Sequence, residues 1–201
     1  MIVLGVLISG SGTNLQAIID AIDAGRLDAR IALVISSRPD AYGLKRAAAA
    51  GIETISLSQS FYADALMADV LIAQELMQRG VEYVVMAGYM RMVRRPLLEA
   101  FENRIINLHP ALLPAFAGAN GIGDAFDYGV KLTGVTVHFA NAVYDAGPII
   151  AQRAVAIEPD DDRESLAERI HAVEHQLLPE VLQLVAEGRV KITADGKVAV
   201  S

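Results

Sequence analysis

The chain has 201 residues, a formal net charge of −7 at pH 7, 53% hydrophobic residues and 20% charged residues. It is too apolar and too weakly charged to be a disordered chain, and its length suits one domain with a sizeable core. The absence of cysteine excludes disulfides, thiolate zinc sites and cysteine nucleophiles, and the acidic balance argues against a general nucleic-acid binder while leaving room for a small anion held by backbone amides.

The opening run, residues 2–8, predicts a strand buried on both faces. No basic segment precedes it, and it breaks at Gly10, far short of the roughly 20 residues of a membrane span. Residues 14–24 predict a helix with Leu15, Ile18, Ile19 and Ile22 on one stripe and Gly25 as its stop. Residues 31–35 predict a second strand, 41–50 a second helix ended by Gly51, and 52–57 a third strand. A longer helix follows over 61–79, ended by Gly80, then strands at 81–87 and 104–108. This alternation predicts an α/β fold, a Rossmann-like, mostly parallel central sheet with helices on both faces. In such sheets ligands bind beyond the carboxyl ends of the strands, which directs attention to the loops 9–14, 88–95 and 109–120.

After residue 110 the rhythm changes. A loop with glycine and proline leads to a short helix near 124–128. Residues 134–140 alternate Val135, Val137 and Phe139 with Thr136 and His138, which predicts a half-exposed strand. Another strand is predicted over 149–157. The last helix, 164–188, carries a stripe of Leu166, Ile170, Val173, Leu177, Val181 and Leu184, with Asp161 or Asp162 as its cap. The tail 190–200, with Asp195-Gly196 at its centre, predicts a hairpin.

Four places carry chemistry. Ser9-Gly10-Ser11-Gly12-Thr13-Asn14 joins a strand to a helix, where unpaired amides sit at the positive end of the helix dipole. It lacks the third glycine of a dinucleotide fingerprint and the lysine of a P-loop. It reads equally as a phosphate cradle or as a plain turn capped by Thr13 or Asn14. In Asn107-Leu108-His109-Pro110 the pleat puts the amide and the imidazole on one side. Such a pair can polarise a carbonyl and exchange a proton with it, or it can be a polar pair at a strand end. Asp145 stands before Gly147-Pro148 in a tight turn. Beside His109 its carboxylate would favour the imidazolium; alone, it would serve the turn. His171-x-x-Glu174-His175 matches a zinc signature, but a site of that type needs a third, distant ligand, so no metal is expected. No G-x-S-x-G elbow is present.

In combination, residues 7–19 (LISGSGTNLQAII), 86–93 (MAGYMRMV), 105–116 (IINLHPALLPAF), 133–152 (TGVTVHFAN to DAGPIIAQ) and 169–179 (RIHAVEHQLLP) make a chain that resembles the glycinamide ribonucleotide formyltransferases, folate-dependent enzymes of purine synthesis. The resemblance spans nearly the whole chain. It implies a single domain over 1–201, with a nucleotide-phosphate half (1–104) and a catalytic and folate half (105–201). Asn107, His109 and Asp145 would be catalytic. Gly12, Thr13 and Asn14 would hold the ribose phosphate, and His171, Ala172, Val173 and Glu174 the glycinamide end. Met90, Arg91, Met92 and Val93, with Asn107, Asn141, Ala142, Val143, Tyr144 and Asp145, would contact 10-formyltetrahydrofolate. The implied partners are small molecules in the cytoplasm, with no nucleic acid, no membrane and no metal, as a monomer or a homodimer. The sequence departs from the family pattern at three points. Asn120 stands for a histidine, Asp64 in Phe61-Tyr62-Ala63-Asp64 for a folate-contacting arginine, and Tyr144 for a smaller residue. A formyltetrahydrofolate hydrolase, a formyltransferase for another amino sugar phosphate, and a non-catalytic folate or nucleotide binder are the rival readings.

Overall fold

A computed structural model describes residues 1–57, 61 and 63–201. The chain divides into two compact units, Met1–Asn107 and Leu108–Ser201.

The first unit runs β1 (Ile2–Ile8), α1 (Thr13–Asp23), β2 (Ala29–Ser36), α2 (Tyr42–Ala49), β3 (Thr54–Ser56), α3 (Ala65–Gln78), β4 (Tyr83–Met86), α4 (Arg95–Ala100) and β5 (Ile105–His109), whose last two residues open the second unit. The strands lie in the order β3-β2-β1-β4-β5, and every one of these pairings is parallel. In β1, Leu4, Val6, Leu7 and Ile8 are fully buried, each contributing about 2 kcal/mol through removal from water. The chain winds outward from β1 to β3 and then returns to β4 on the other side of β1. That reversal opens a crevice at the carboxyl ends of β1 and β4. The predicted stop glycines Gly25, Gly51 and Gly80 all adopt positive φ, a conformation that costs glycine little.

Two differences from expectation have local causes. The predicted helix 61–79 begins only at Ala65, because Asp64 is its N-cap and accepts from the amides of Leu66 and Met67. Tyr62, at the predicted start, lies outside the described residues. Helix α4 was not expected. It has only six residues, with proline in its first turn, too few for a period to register.

The second unit contains α5 (Gly121–Tyr128), β6 (Leu132–Phe139), β7 (Ile149–Ala156), α6 (Arg163–Ala186), β8 (Val190–Ile192) and β9 (Val198–Val200). The strand order continues from β5 through β6 to β7; β6 and β7 are antiparallel, and β8 and β9 form the expected hairpin. Strand β6 is buried on both faces from Thr133 to Phe139, so the half-exposed reading fails. Its polar face is filled by hydrogen-bonded side chains: Thr136 donates to the carbonyl of Ala111 at 2.7 Å and accepts from the amide of Leu113, and Gln152 on β7 donates to Thr136 and to the carbonyl of Leu113. These bonds fasten the start of the loop after β5. Helix α6 packs on β6 and β7. Its Asp162 cap forms a capping box with Ser165. Val173 and Leu184 are only half-buried, and the buried face also takes Glu174, Leu178, Pro179, Leu182 and Val185; a paired glutamate can enter a core that a search for apolar residues does not assign to it. Among the described residues no helix is long and apolar enough to cross a membrane.

Candidate active site

In the first unit the glycine loop leaves β1 and enters α1. The N-cap is Gly12 at φ 72°, and no side chain caps the helix; neither Thr13 nor Asn14 takes that position. The first-turn amides therefore have no capping side chain and face outward from the positive end of the helix. A Cβ on Gly12 would lie 2.6 Å from the Cα of Gly43, so two glycine backbones are in contact there. Gly43 donates its amide to the carbonyl of Gly10 at 3.1 Å. Arg46 on α2 donates to the carbonyl of Ser11 at 3.0 Å and to the side-chain oxygen of Gln16, bracing the outside of the loop.

The loop after β4 lies in the same unit. The amide of Met90 donates to the hydroxyl of Ser9 at 2.9 Å, and that hydroxyl is 2.6 Å from the hydroxyl of Ser37. At the other end the amide of Arg94 donates to the carboxylate of Asp69 on α3. A pocket of about 240 Å³ is lined by Ala65, Asp69, Tyr89, Met90, Arg91, Met92 and Arg94. Met90 and Met92 are exposed, whereas Val93 is buried and outside that lining. Asp69 is only 3% exposed. Burial pushes its carboxyl up to about 6, against the opposing pull of the Arg94 amide and charge.

In the second unit His109 ends β5 with its side chain buried. Its Nδ1 lies 3.4 Å from Oδ2 of Asp145. Its Nε2 lies 2.8 Å from the carbonyl oxygen of Phe116. Both ring nitrogens therefore face oxygens that only accept, and the doubly protonated ring can donate to both. Asn107, the last residue of the first unit, is half-buried two positions earlier on the same strand, where the pleat turns it to the side of His109.

Asp145 is held from several directions. Its Oδ2 accepts from the amide of Gly118 at 2.9 Å, and its Oδ1 lies 3.8 Å from Nε2 of His138. His138 is oriented by its Nδ1, which donates to the carbonyl of Phe139 at 2.9 Å. Burial raises the Asp145 carboxyl, but the His138 hydrogen bond, the Gly118 amide and the two imidazole charges outweigh it, and the net displacement is below the usual carboxylate range. Asp145 adopts φ 51°, a left-handed conformation that aspartate tolerates better than most residues. The loop around it is clasped by Asn141, whose side chain accepts from the amide of Val143 and donates to the carbonyl of Ala146. Ala142, Val143 and Tyr144 are exposed. Gly147 is obligatory, since a Cβ there would lie 1.7 Å from the carbonyl oxygen of Phe139.

On α6, Glu174 is buried and accepts from Nδ1 of half-exposed His171 at 2.9 Å. That hydrogen bond raises the His171 imidazole, burial partly opposing it. Ala172 is exposed and Val173 half-buried beside them. Among the described residues no group of three or more His, Asp or Glu side chains is arranged to hold a metal ion.

Sequence reasoning missed His138 and Asp69. The signal for His138 was its phase with Thr136 in an otherwise apolar strand. The signal for Asp69 was its phase with Ile72 and Leu76, which makes it the one acid on the buried stripe of α3. The backbone groups at Phe116 and Gly118 carry no residue-type signal. Two of the three departures also acquire structural roles: Asp64 caps α3, and Asn120, at the head of α5, donates to Asp124 at 2.9 Å.

A buried acid–imidazole pair at the end of an α/β sheet strand can polarise a carbonyl and move a proton. Residues 3–182 match the family model described as formyl transferase, and the chain belongs to that family. It is 39% identical over 178 residues to the phosphoribosylglycinamide formyltransferase of Bacillus subtilis, covering 89% of this chain and 91% of that one. The crystal structure of glycinamide ribonucleotide transformylase 1 from Symbiobacterium toebii is 50% identical, with a TM-score of 0.96, covering 100% of this chain and 94% of that one. The trifunctional purine biosynthetic protein adenosine-3 of Gallus gallus is 40% identical over 195 residues, covering 97% of this chain and 19% of that protein; the chain thus spans about a fifth of the length of that relative.

Proposed function

We propose that the protein transfers the formyl group of 10-formyltetrahydrofolate to the amine of N1-(5-phosphoribosyl)glycinamide, a step of purine biosynthesis. The observation that carries the reading is the buried His109–Asp145 pair, whose geometry suits a cationic imidazole. The family membership and the names of the full-length bacterial relatives support the substrates.

In this reading the amine nitrogen attacks the formyl carbon and negative charge grows on the formyl oxygen. Asn107 donates to that oxygen, and cationic His109 stabilises it. The bond from the formyl carbon to the folate nitrogen then breaks. One proton leaves the attacking amine and one reaches the departing nitrogen, His109 assisting the transfer. Asp145 orients His109 and balances its charge. The amides at Gly12, Thr13 and Asn14 receive the substrate phosphate. His171, Ala172, Val173 and Glu174 meet the glycinamide end. The folate contacts are Met90, Arg91, Met92, Val93, Asn107, Asn141, Ala142, Val143, Tyr144 and Asp145. The same reading gives residues 1–104 to the nucleotide and 105–201 to catalysis and the folate. It also assigns the protein to the cytoplasm with small-molecule partners and no metal.

The test mixes purified protein with 10-formyltetrahydrofolate, with and without the glycinamide substrate, and follows deformylated folate. Release that requires the amine is the expected result. Release into water alone overturns the transferase reading in favour of a hydrolase, and no release in either mixture overturns catalysis altogether.

A further inference from the structure

The crevice at the carboxyl ends of β1 and β4 contains a segment that is tied down twice. Residues 90–94 leave the crevice as a strap without regular secondary structure. At its near end the Met90 amide donates to Ser9, the first residue of the glycine loop. At its far end the Arg94 amide donates to Asp69 on α3. Ser9 is 4% exposed and Asp69 3% exposed, and neither belongs to the residues to which the proposed reaction gives a role. We propose that Ser9 and Asp69 are positioning residues that hold the strap from its two ends, so that its middle, Arg91 and Met92, is presented to the folate in one conformation. This rests on the proposed reading that the strap meets the folate.

Three observations support it. A carboxylate left in an apolar helix stripe costs stability unless it is hydrogen-bonded, and the bond that Asp69 makes goes to strap backbone rather than to a neighbouring side chain. Its carboxyl, pushed up by burial, still ionises at neutral pH, so the bond to Arg94 is charge-assisted there. Ser9 is also anchored on its far side by Ser37, the residue after β2, so its hydroxyl is a fixed point rather than a free rotor. With both amides secured, the loss of backbone freedom is met on folding and not on binding.

The test compares Ser9→Ala, Asp69→Ala and Asp69→Asn with the wild type. Amide hydrogen exchange over residues 88–95 reports on the strap without any ligand, and steady-state kinetics report KM for each substrate and kcat. In Ser9→Ala and Asp69→Ala, exchange over 88–95 rises at least tenfold while exchange in α6 is unchanged. KM for 10-formyltetrahydrofolate rises about tenfold, the loss expected for one hydrogen bond to a charged or buried partner. KM for the glycinamide substrate and kcat stay within about twofold. Asp69→Asn keeps an oxygen that accepts from Arg94 and restores both values to near wild type. Unchanged exchange in both alanine variants overturns the proposal. So does faster exchange with an unchanged folate KM, and so does a parallel loss of all kinetic values with faster exchange throughout the chain, which marks a general structural role. A wild type that releases no deformylated folate overturns the reaction instead, and the exchange comparison still decides whether the two residues anchor the strap.

Discussion

Asp145 performs two tasks with one carboxylate, and substitution separates them. Oδ2 accepts from Gly118 and stands against His109. Asp145→Asn keeps an oxygen for the Gly118 amide and removes the charge; Asp145→Ala removes both. Turnover is expected to fall roughly 10²–10⁴-fold in either variant and in His109→Ala, while thermal melting falls clearly only for Asp145→Ala. Full activity in Asp145→Asn, measured as kcat, would contradict the electrostatic role. The depressed carboxyl also has a sign for stability. Its contribution is complete above the unfolded carboxylate value and is lost as pH falls through the lower folded value. Local pattern left Asn107, His109 and Asp145 open between a catalytic and a purely structural reading, and only the family resemblance joined them; the structure brings the imidazole of His109 and the carboxylate of Asp145 together. His138 was not legible, because in an alternating strand it reads as one polar position among others: it faces Asp145, seven residues later in the chain, only once β6 is buried on both faces and the following loop turns back.

At the scale of the elements, the helix caps explain what looked like a lost ligand contact. The family resemblance leads one to expect a cation at Asp64, yet its carboxylate takes two amides of α3. Asp64→Ala is expected to cost about 1 kcal/mol, which lowers the melting temperature by roughly 2–4 °C in a domain of this size. KM for the folate is expected to stay within about twofold, a comparison that melting curves and kinetics settle together. The long, strongly periodic elements were legible to within a few residues: β1 ends where the apolar run ends, and Gly25, Gly51 and Gly80 stop helices as read. The six-residue α4 was not, since one turn and a half carries no period. Strand β6 was found but its environment was misjudged, because alternation of polar and apolar residues does not tell a wet face from a face whose polar groups are paired internally, as Thr136 and Gln152 are.

Across the whole molecule, one buried acid sets part of the pH dependence of folding. The folded value of Asp69 is about 6 against 3.8, so between those values the folded chain binds more protons than the unfolded one and stability falls as pH rises. Urea unfolding of Asp69→Asn and wild type at pH 4, 5, 6 and 7.5 is expected to show a gap that widens up to about pH 6, reaching roughly 1–3 kcal/mol in favour of the variant, and then levels off. A gap that does not change with pH would contradict the assignment. The contact between Gly12 and Gly43 has a different reach. Because that turn is shaped by main chain meeting main chain, its neighbour Ser11 is exposed and is held through its carbonyl by Arg46 rather than through its side chain. A library that randomises Ser11 should return mostly folded clones, whereas one that randomises either glycine should return almost none, which marks where this turn has freedom to change and where it has none.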